Sequence, residues 1–498
     1  MNSLLDQWSS SRFVLALFAG CAFPLAFAPF GWWPAGILCL MGLLFLLENA
    51  GRKQGIWYFY LFAVGMYGTG NWWIYHSIHV YGGAPPVLAF SMMALLVPGW
   101  SLHSALHGYL YMRFIHGRPL AVLVGFPLAW VLQEWVRTWF LTGFPWFFLG
   151  YSHTDTWLAG YAPVTGVLGV SLVAAFTACV LYSFLVKKIS FRIGIGVIGL
   201  IWISGWMGRQ MDFVIPTGER LSVSLIQGNV DQAVKWRREN IVPLLRLYRD
   251  MSESELGRDL IVWPEAAITL RKENAAWYLD EVSEAARQKG STIVLGIPDH
   301  NPETGRYLNT AIALGEGSGQ YIKRRLVPFG EYVPLESWLR GLIQAFDLPM
   351  SRNESGPDEQ PGLMAGKYRV SMSICYEIIY PELVRNSIEN PDLLMTISND
   401  SWFGDSTGPR QHMQMARMRA LELGRYLIRG TNNGVTAIVN QKGETEVSAP
   451  SFEQTILRGE VEIMKGLTPY AYVGNGLFLG FCLCGVGVLW YTRRGTRG

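Results

Sequence analysis

Apolar residues are spread unevenly along the chain. Long runs with few charges fill residues 1 to about 208 and residues 469–491, whereas residues 212–465 have the charge density of a water-soluble domain. A helix needs about 20 predominantly apolar residues to cross a bilayer. By that measure the apolar runs predict eight transmembrane helices, near residues 12–30, 33–49, 55–76, 87–112, 119–136, 163–186, 190–208 and 469–491.

The polar stretch between the last two predicted spans has the pattern of a layered α/β domain. Runs rich in β-branched residues predict strands at 221–230, 259–267, 291–299, 368–377 and 392–400, and hairpins at 308–334 and 434–444. Helical patterns follow the first strand to about residue 254 and recur at 274–288, 381–388 and 411–428. Strands that alternate with helices favour an α/β architecture.

These patterns divide the chain into three predicted parts. Residues 1–210 hold transmembrane helices 1–7, residues 211–466 form the soluble domain, and residues 467–498 hold transmembrane helix 8 and a tail. A soluble part of this size is large enough to build its own hydrophobic core.

The positions of lysine and arginine predict an orientation. If the N-terminus is cytoplasmic, the short loops of the opposite side contain only Arg137. The cytoplasmic side then holds Arg12, Arg52, Lys53, Arg113, Arg118, Lys187, Lys188, Arg192, Arg493, Arg494 and Arg497. Positive loops stay in the cytoplasm, so both termini are expected there and the soluble domain on the other side. The net charge of +3, without a basic run, argues against nucleic acid as a partner.

The distribution of the cysteines singles out Cys375 as a candidate functional residue. Cys375 is the only cysteine of the soluble domain, and the others fall within predicted spans. An oxidising compartment normally pairs cysteines in disulfides. A solitary cysteine there is either an inert buried thiol or a nucleophile.

Three chemically complementary residues follow predicted strands. Glu265 follows "LIVW" and a proline, Lys323 follows "QYI", and Cys375 follows "VSMSI". Ligands of α/β sheets bind beyond the carboxyl ends of the strands, so these side chains could converge. A carboxylate can take the thiol proton, and a lysine can stabilise both the thiolate and a tetrahedral oxyanion.

Each of these residues also has a simpler interpretation. Glu265 could be an ordinary strand-end carboxylate, Lys323 a surface cation in "KRR", and Cys375 a core thiol. The histidines of the soluble domain, His300 and His412, lie outside any strand-end motif, which favours a carboxylate over an imidazole as the base. Spacing alone leaves both interpretations open.

Six motifs resemble those of the nitrilase (carbon–nitrogen hydrolase) superfamily and, within it, the apolipoprotein N-acyltransferase family of bacterial envelopes. They are "QGNVDQAVKW" (227–236), "WPEAA" (263–267), "KRRLVPFGEYVP" (323–334), "SICYE" (373–377), "SNDSWFG" (398–404) and "TNNGVT" (431–436). The resemblance implies an αββα sandwich. It also implies that Glu265 is the general base, Lys323 the oxyanion-stabilising cation and Cys375 the acylated nucleophile.

The same resemblance assigns supporting residues. Glu331 matches a second glutamate that the family requires near the active site, and Tyr376, Glu377 and Trp236 match positions tied to active-site integrity or substrate contact. A thioester that waits for an amine needs a water-poor cavity. Trp236, together with Trp402 and Phe403, is expected to line it, although each could equally be a plain core residue.

The resemblance implies a two-step reaction. A phospholipid, typically phosphatidylethanolamine, donates its sn-1 acyl chain to Cys375 as a thioester, and the N-terminal amine of a diacylglyceryl-cysteine apolipoprotein then takes it. The expected protein is a monomer of the bacterial inner membrane, with the catalytic domain on the periplasmic side. It needs no metal and no cofactor.

Two other classes of protein fit part of the pattern. A membrane-anchored nitrilase-type amidase would use the same three residues, but a hydrolase of small soluble amides has no need of eight spans. A transporter or receptor without catalysis would call for ionisable residues within the spans; few are present, with Glu134 the main exception.

Overall fold

The computed structural model describes residues 2–332 and 353–491. The chain forms two compact units. The membrane unit is made of the residues up to His79, Ala84–Asp212 and the chain from Pro469 onward, and the sandwich unit is made of Val80–Gly83 and Phe213–Thr468.

Helices make up the membrane unit. Their bounds are α1 Asn2–Ala22, α2 Pro34–Glu48, α3 Arg52–Gly70, α4 Trp73–His76, α5 Pro86–Phe114, α6 Phe126–Val136, α7 Ala162–Leu185, α8 Phe191–Gln210, and after the sandwich unit α14 Pro469–Val473 and α15 Gly476–Tyr491. Among the described residues, three helical segments are both long and apolar enough to cross a membrane: Pro86–Phe114, Trp157–Leu185 and Phe191–Gln210. Shorter apolar helices lie at Ser11–Ala26, Pro34–Glu48, Ala121–Val136 and Gly476–Tyr491. The number of eight spans therefore stays a prediction.

In two of the predicted spans the helix changes its form beside a proline. A 3-10 turn at Phe23–Ala26 follows α1, and a π-helical turn at Ala121–Gly125 precedes α6. Pro24 and Pro127 lie at these points. Proline lacks an N–H and fits the first turn of a helix better than its interior, so the backbone changes its helical form there.

The sandwich unit contains two six-stranded sheets. The first sheet has the order β12-β1-β2-β3-β4-β5 and the second β11-β10-β9-β8-β7-β6. The strands are β1 Ile215–Gln227, β2 Leu260–Val262, β3 Thr292–His300, β4 Tyr307–Gly315, β5 Gln320–Ile322, β6 Leu363–Ala365, β7 Tyr368–Ile374, β8 Leu393–Ser398, β9 Leu427–Thr431, β10 Ala437–Val439, β11 Thr445–Ser448 and β12 Thr455–Lys465. The helices are α9 Gln232–Lys235, α10 Ile241–Glu253, α11 Ala276–Gln288, α12 Pro381–Arg385 and α13 Gly408–Leu423.

Alternation along the strands explains the layering. In β2, Leu260 and Val262 face the core between the sheets, whereas Ile261 and the following Trp263 face the core beneath α10 and α11. Successive strand side chains point to opposite faces, so a strand buried on both sides reads as a continuous apolar run. Helices α12 and α13 pack on β7 and β9 of the second sheet. The order of layers is αββα, as the resemblance implied.

Each sheet has a parallel centre. Strands β1, β2 and β3 run parallel, as do β7, β8 and β9. Parallel strands bring their carboxyl ends to one edge of a sheet, where α/β proteins bind ligands. Glu265 lies beyond β2, and Cys375 directly follows β7.

Two parts of the predicted secondary structure were wrong. The helix predicted at 411–428 ends at Leu423 because Gly424 adopts a left-handed φ of 62°, the usual way for a glycine to end a helix. Residues Leu427–Thr431 instead form a fully buried strand. Strand β12 was not predicted, because its charged side chains are partly exposed at the sheet edge, where it pairs antiparallel with β1.

A close backbone approach at Gly296 of β3 yields the first prediction. A Cβ added there would lie 2.5 Å from the Ala266 nitrogen and 2.7 Å from the Glu265 Cα. Gly296→Ala should therefore push the Glu265 segment away and lower the free energy of unfolding by about 1–3 kcal/mol, as overpacking does. Thermal unfolding of the detergent-solubilised protein measures this effect.

Gly199→Ala is the matched control. Among the described residues, an added Cβ at Gly199 meets no atom within 4 Å, so the unfolding temperature should not fall. Equal unfolding temperatures for Gly296→Ala and the wild type would contradict the steric argument.

Candidate active site

Cys375 occupies a strained turn. It directly follows β7 and begins a 3-10 turn over Cys375–Ile379, with a left-handed φ of 53°. Non-glycine residues avoid this region unless the surrounding structure imposes it, and such residues cluster at functional sites. The side chain lies in a buried position.

Glu265 is held by donors from distant parts of the chain. Its Oε2 accepts a hydrogen bond of 2.8 Å from the backbone N–H of Asn399, and its Oε1 accepts one of 2.8 Å from Nδ2 of Asn309. The Lys235 ammonium donates to the backbone carbonyl of Glu265 at 3.2 Å. Hydrogen bonds thus hold both carboxylate oxygens of Glu265 and also its backbone carbonyl.

Lys323 lies buried between two carboxylates. Its Nζ is 2.9 Å from Glu331 Oε1 and 3.4 Å from Glu265 Oε1. Asn309 Nδ2 also donates to Glu331 Oε1 at 3.1 Å, so it joins the two glutamates. Burial alone would lower the pKa of Lys323, but attraction to Glu331, Glu265 and Cys375 outweighs it and raises the pKa well above its usual range. Lys323 is therefore a permanent cation.

The electrostatics of Cys375 oppose ionisation at rest. Burial and the nearby Glu265 carboxylate raise the pKa of the Cys375 thiol, and Lys323 only partly offsets them. The thiolate, not the thiol, is the nucleophile. An attack by this sulfur therefore needs a base that removes the proton as the reaction proceeds. Of the carboxylates that act on Cys375, Glu265 has the larger effect on its pKa.

Glu377 connects the segments of the cation and the thiol. It is fully buried, and its carboxylate accepts hydrogen bonds from the backbone N–H groups of Arg324 (2.6 Å), Arg325 (3.0 Å) and Ile374 (2.8 Å). The Tyr321 hydroxyl lies 3.0 Å from both of its oxygens. Ile374 directly precedes Cys375, and Arg324 and Arg325 directly follow Lys323, so Glu377 links these two segments.

The structure brings some predicted residues together. Glu265, Lys323 and Glu331 are in direct contact, and Cys375 interacts electrostatically with the first two. Tyr376 is buried, and its ring centroid lies 5.3 Å from that of Tyr380. The catalytic roles of these residues remain predictions.

Trp236, Trp402 and Phe403 were expected to line the acyl cavity. Trp236 directly follows α9, and its side chain is 40% exposed. The Trp402 ring meets the Tyr81 ring at 5.7 Å, and the Phe403 ring meets the imidazole of His412 at 6.1 Å. That they line an acyl cavity stays a prediction.

Four site residues were missed in the sequence: Lys235, Asn309, Asn399 and His412. The first and third lie within quoted motifs, "DQAVKW" and "SNDSWFG", next to residues that were singled out. Asn309 lies in a strand and carried no signal. His412 was set aside because it follows no strand, yet its Nε2 lies 3.1 Å from the Cys375 carbonyl oxygen.

Within the described residues, no three His, Cys, Asp or Glu side chains lie close enough together to hold a metal ion. The expectation that the protein needs neither metal nor cofactor stays a prediction.

The fold and the family matches define the class of protein. Residues 222–465 match the carbon–nitrogen hydrolase family, and residues 19–180 match the N-terminal domain of apolipoprotein N-acyltransferase. The protein is thus a nitrilase-like α/β domain joined to an apolar helical domain. Among solved structures, Nit3 of Saccharomyces cerevisiae, a member of the nitrilase superfamily, aligns with 51% of this chain and 92% of its own, with a TM-score of 0.38 and 17% identity.

Full-length relatives narrow the class to one family. The apolipoprotein N-acyltransferase of Pseudomonas putida is 44% identical over 92% of both chains. That of Pseudomonas aeruginosa is 41% identical over 96% of this chain and 94% of its own, and that of Photobacterium profundum is 38% identical over 94% and 92%. The chain belongs to the apolipoprotein N-acyltransferase family, which confirms the resemblance seen in the motifs, and it is a bacterial inner-membrane enzyme.

The second prediction concerns the buried ammonium of Lys235. Burial lowers the pKa of Lys235 to about 8, although Glu265 partly opposes this. The folded protein releases this proton near pH 8, whereas the unfolded chain keeps it to about pH 10.4. Between pH 8 and about pH 10.4 the unfolded state binds more protons, so this group makes the free energy of unfolding rise with pH across that range. At about 1.4 kcal/mol per pH unit, the gain is roughly 3 kcal/mol.

Lys235→Met isolates that contribution from other titrating groups. The variant should be the more stable protein at pH 7, and its advantage over the wild type should shrink as the pH rises from 8 to 10.4. Chemical denaturation at a series of pH values measures the difference. A constant difference between the two proteins across this window would contradict the depressed pKa.

Proposed function

We propose that the protein transfers the sn-1 acyl chain of a phospholipid to the N-terminal amine of the diacylglyceryl-cysteine of apolipoproteins, through a thioester on Cys375. The observation that carries the proposal is the buried contact of Lys323 with Glu265 and Glu331, which is electrostatically coupled to Cys375. Membership in the family supplies the substrate class.

In the first step, Glu265 accepts the thiol proton as the Cys375 sulfur attacks the ester carbonyl. A C–S bond forms, the carbonyl oxygen becomes an oxyanion, and the Lys323 ammonium stabilises it. When the C–O bond breaks, the lysophospholipid alkoxide takes the proton from Glu265. The held geometry of Glu265 supports this role, because a base must stay within reach of the proton it removes.

In the second step, the amine of the lipoprotein attacks the thioester. The C–N bond forms, the C–S bond breaks, and Glu265 passes the amine proton to the departing sulfur. The enzyme returns to its starting state, so the mechanism is a ping-pong transfer with a covalent intermediate.

The apolar helices fit substrates that are anchored in lipid. Moving an acyl chain into water costs on the order of 0.8 kcal/mol per CH₂, so an enzyme of such chains must meet them at the bilayer. We infer that eight spans tether the sandwich unit at the periplasmic face with both termini in the cytoplasm. The donor is phosphatidylethanolamine, the enzyme acts as a monomer, and residues 211–466 form the catalytic domain between spans seven and eight.

Intact-mass analysis tests the thioester. Incubation with phosphatidylethanolamine alone should add one acyl chain to the protein, and peptide mapping should locate it at Cys375. Cys375→Ala should carry no adduct, whereas Cys484→Ala, which removes an exposed cysteine of the membrane unit, should be acylated normally. An adduct that survives Cys375→Ala would assign the nucleophile elsewhere.

The fate of the adduct separates an acyltransferase from an amidase. A diacylglyceryl peptide with a free amine should remove the acyl chain and appear as the N-acylated product. Loss of the adduct to water at the same rate, with or without the peptide, would favour a membrane-anchored nitrilase-type amidase.

Replacement of the base gives a further prediction. Glu265→Gln should slow thioester formation by roughly 100-fold or more, in line with the contribution of general acid–base catalysis. The rate of adduct formation in a single turnover measures it. Glu284→Gln, at a partly exposed carboxylate of α11, is the matched control and should react at the wild-type rate. A normal rate in Glu265→Gln would refute the assigned role.

A further inference from the structure

A buried polar network lies directly behind Cys375. His412, Asp400 and Arg429 are each at most 1% exposed. Arg429 Nη2 lies 2.8 Å from Asp400 Oδ2 and 3.1 Å from His412 Nδ1. His412 Nε2 lies 3.1 Å from the Cys375 carbonyl oxygen. None of these three residues takes part in the chemical steps above.

Both nitrogens of the imidazole have buried polar partners. A carbonyl oxygen can only accept a hydrogen bond, so Nε2 must carry the proton that points to Cys375. Nδ1 lies 3.1 Å from Arg429 Nη2, which can only donate, and 3.4 Å from Asp400 Oδ1, which can only accept, so both residues hold this side of the ring. Burial and the charge of Arg429 lower the pKa of His412, and Asp400 partly opposes them.

Asp400 supplies the charge that keeps Arg429 in place. Burial raises the pKa of Asp400, but Arg429 and His412 outweigh it and hold that pKa well below its usual range. Asp400 is therefore an anion beneath the site, paired with the guanidinium. The pair leaves Arg429 able to donate to the imidazole without an uncompensated buried charge.

The network also reaches the sulfur. The Ser398 hydroxyl donates a hydrogen bond of 2.6 Å to Asp400 Oδ1, and Ser398 also bonds the Cys375 side chain. This bond lowers the pKa of Cys375, as expected of a hydroxyl that can donate to the thiolate. Both the carbonyl and the sulfur of Cys375 thus connect to the same anion.

We propose that His412, held by Arg429 and Asp400, is a positioning residue for Cys375. It holds the carbonyl of a residue whose left-handed backbone would otherwise relax, and so sets the direction of the sulfur. The proposal rests on the nucleophilic role proposed for Cys375. A misplacement of about 1 Å at a reacting atom can cost on the order of 100-fold in rate.

Three variants of His412 test this role. Glutamine carries both a donor for the carbonyl and an acceptor for Arg429, leucine carries neither, and asparagine is polar but too short to span both partners. His412→Leu and His412→Asn should form the Cys375 thioester roughly 100-fold more slowly than the wild type, with an unchanged KM for phosphatidylethanolamine. His412→Gln should recover to within about tenfold.

The readouts are single-turnover acylation by intact mass, alkylation of Cys375 by iodoacetamide, and the unfolding temperature. A residue that only filled space would affect stability, and glutamine would then give no more rescue than leucine. Wild-type acylation in His412→Leu or His412→Asn, or a folded His412→Gln as slow as His412→Asn, would overturn the proposal. If His412→Leu does not fold, the comparison of glutamine with asparagine decides.

The wild-type protein separates this proposal from the proposed function. Absence of any adduct on Cys375 in the wild type would refute the acyl-transfer mechanism itself. A normal wild-type adduct that forms equally fast in His412→Asn would refute only the positioning role.

Discussion

The site depends on one charged group that has been removed from water. Taking the Lys323 ammonium into a buried position costs several kcal/mol, and only close opposite charges can offset this. Glu331 and Glu265 provide those charges at 2.9 and 3.4 Å. The carboxylates then need donors of their own, which explains why Asn309, the Asn399 backbone and the Val327 backbone all point at them.

Much of the fold and the centre of the site could be predicted from the sequence. The continuous apolar run of β2 and the alternating apolar residues of β7 predict strands, and Glu265 and Cys375 of the site follow them. The carboxyl ends of parallel strands lie at a common edge, so strand-end residues such as Glu265 and Cys375 could be expected to meet. The motifs then narrowed the chemistry to a family that the full-length relatives confirm.

The rest depends on packing between distant parts of the chain. Asn309, in the middle of a run that reads as an ordinary strand, reaches both Glu265 and Glu331. His412 lies 37 residues from the carbonyl it contacts, and periodicity says nothing of such a pair. Strand β12 carries charges at the sheet edge, so its pattern is not that of a buried strand. Changes of helical form at Pro24 and Pro127 shorten the α-helices of apolar runs whose composition alone predicts full spans.

The hydrogen bonds of Glu377 couple the motions of two backbone segments. Its side chain accepts hydrogen bonds from the backbone just before Cys375 and from the backbone beside Lys323. Leaving a buried polar group without its partners is costly. The two segments must therefore shift as one body. Any motion of this part of the sandwich unit therefore leaves the separation between the Cys375 sulfur and the Lys323 ammonium undisturbed.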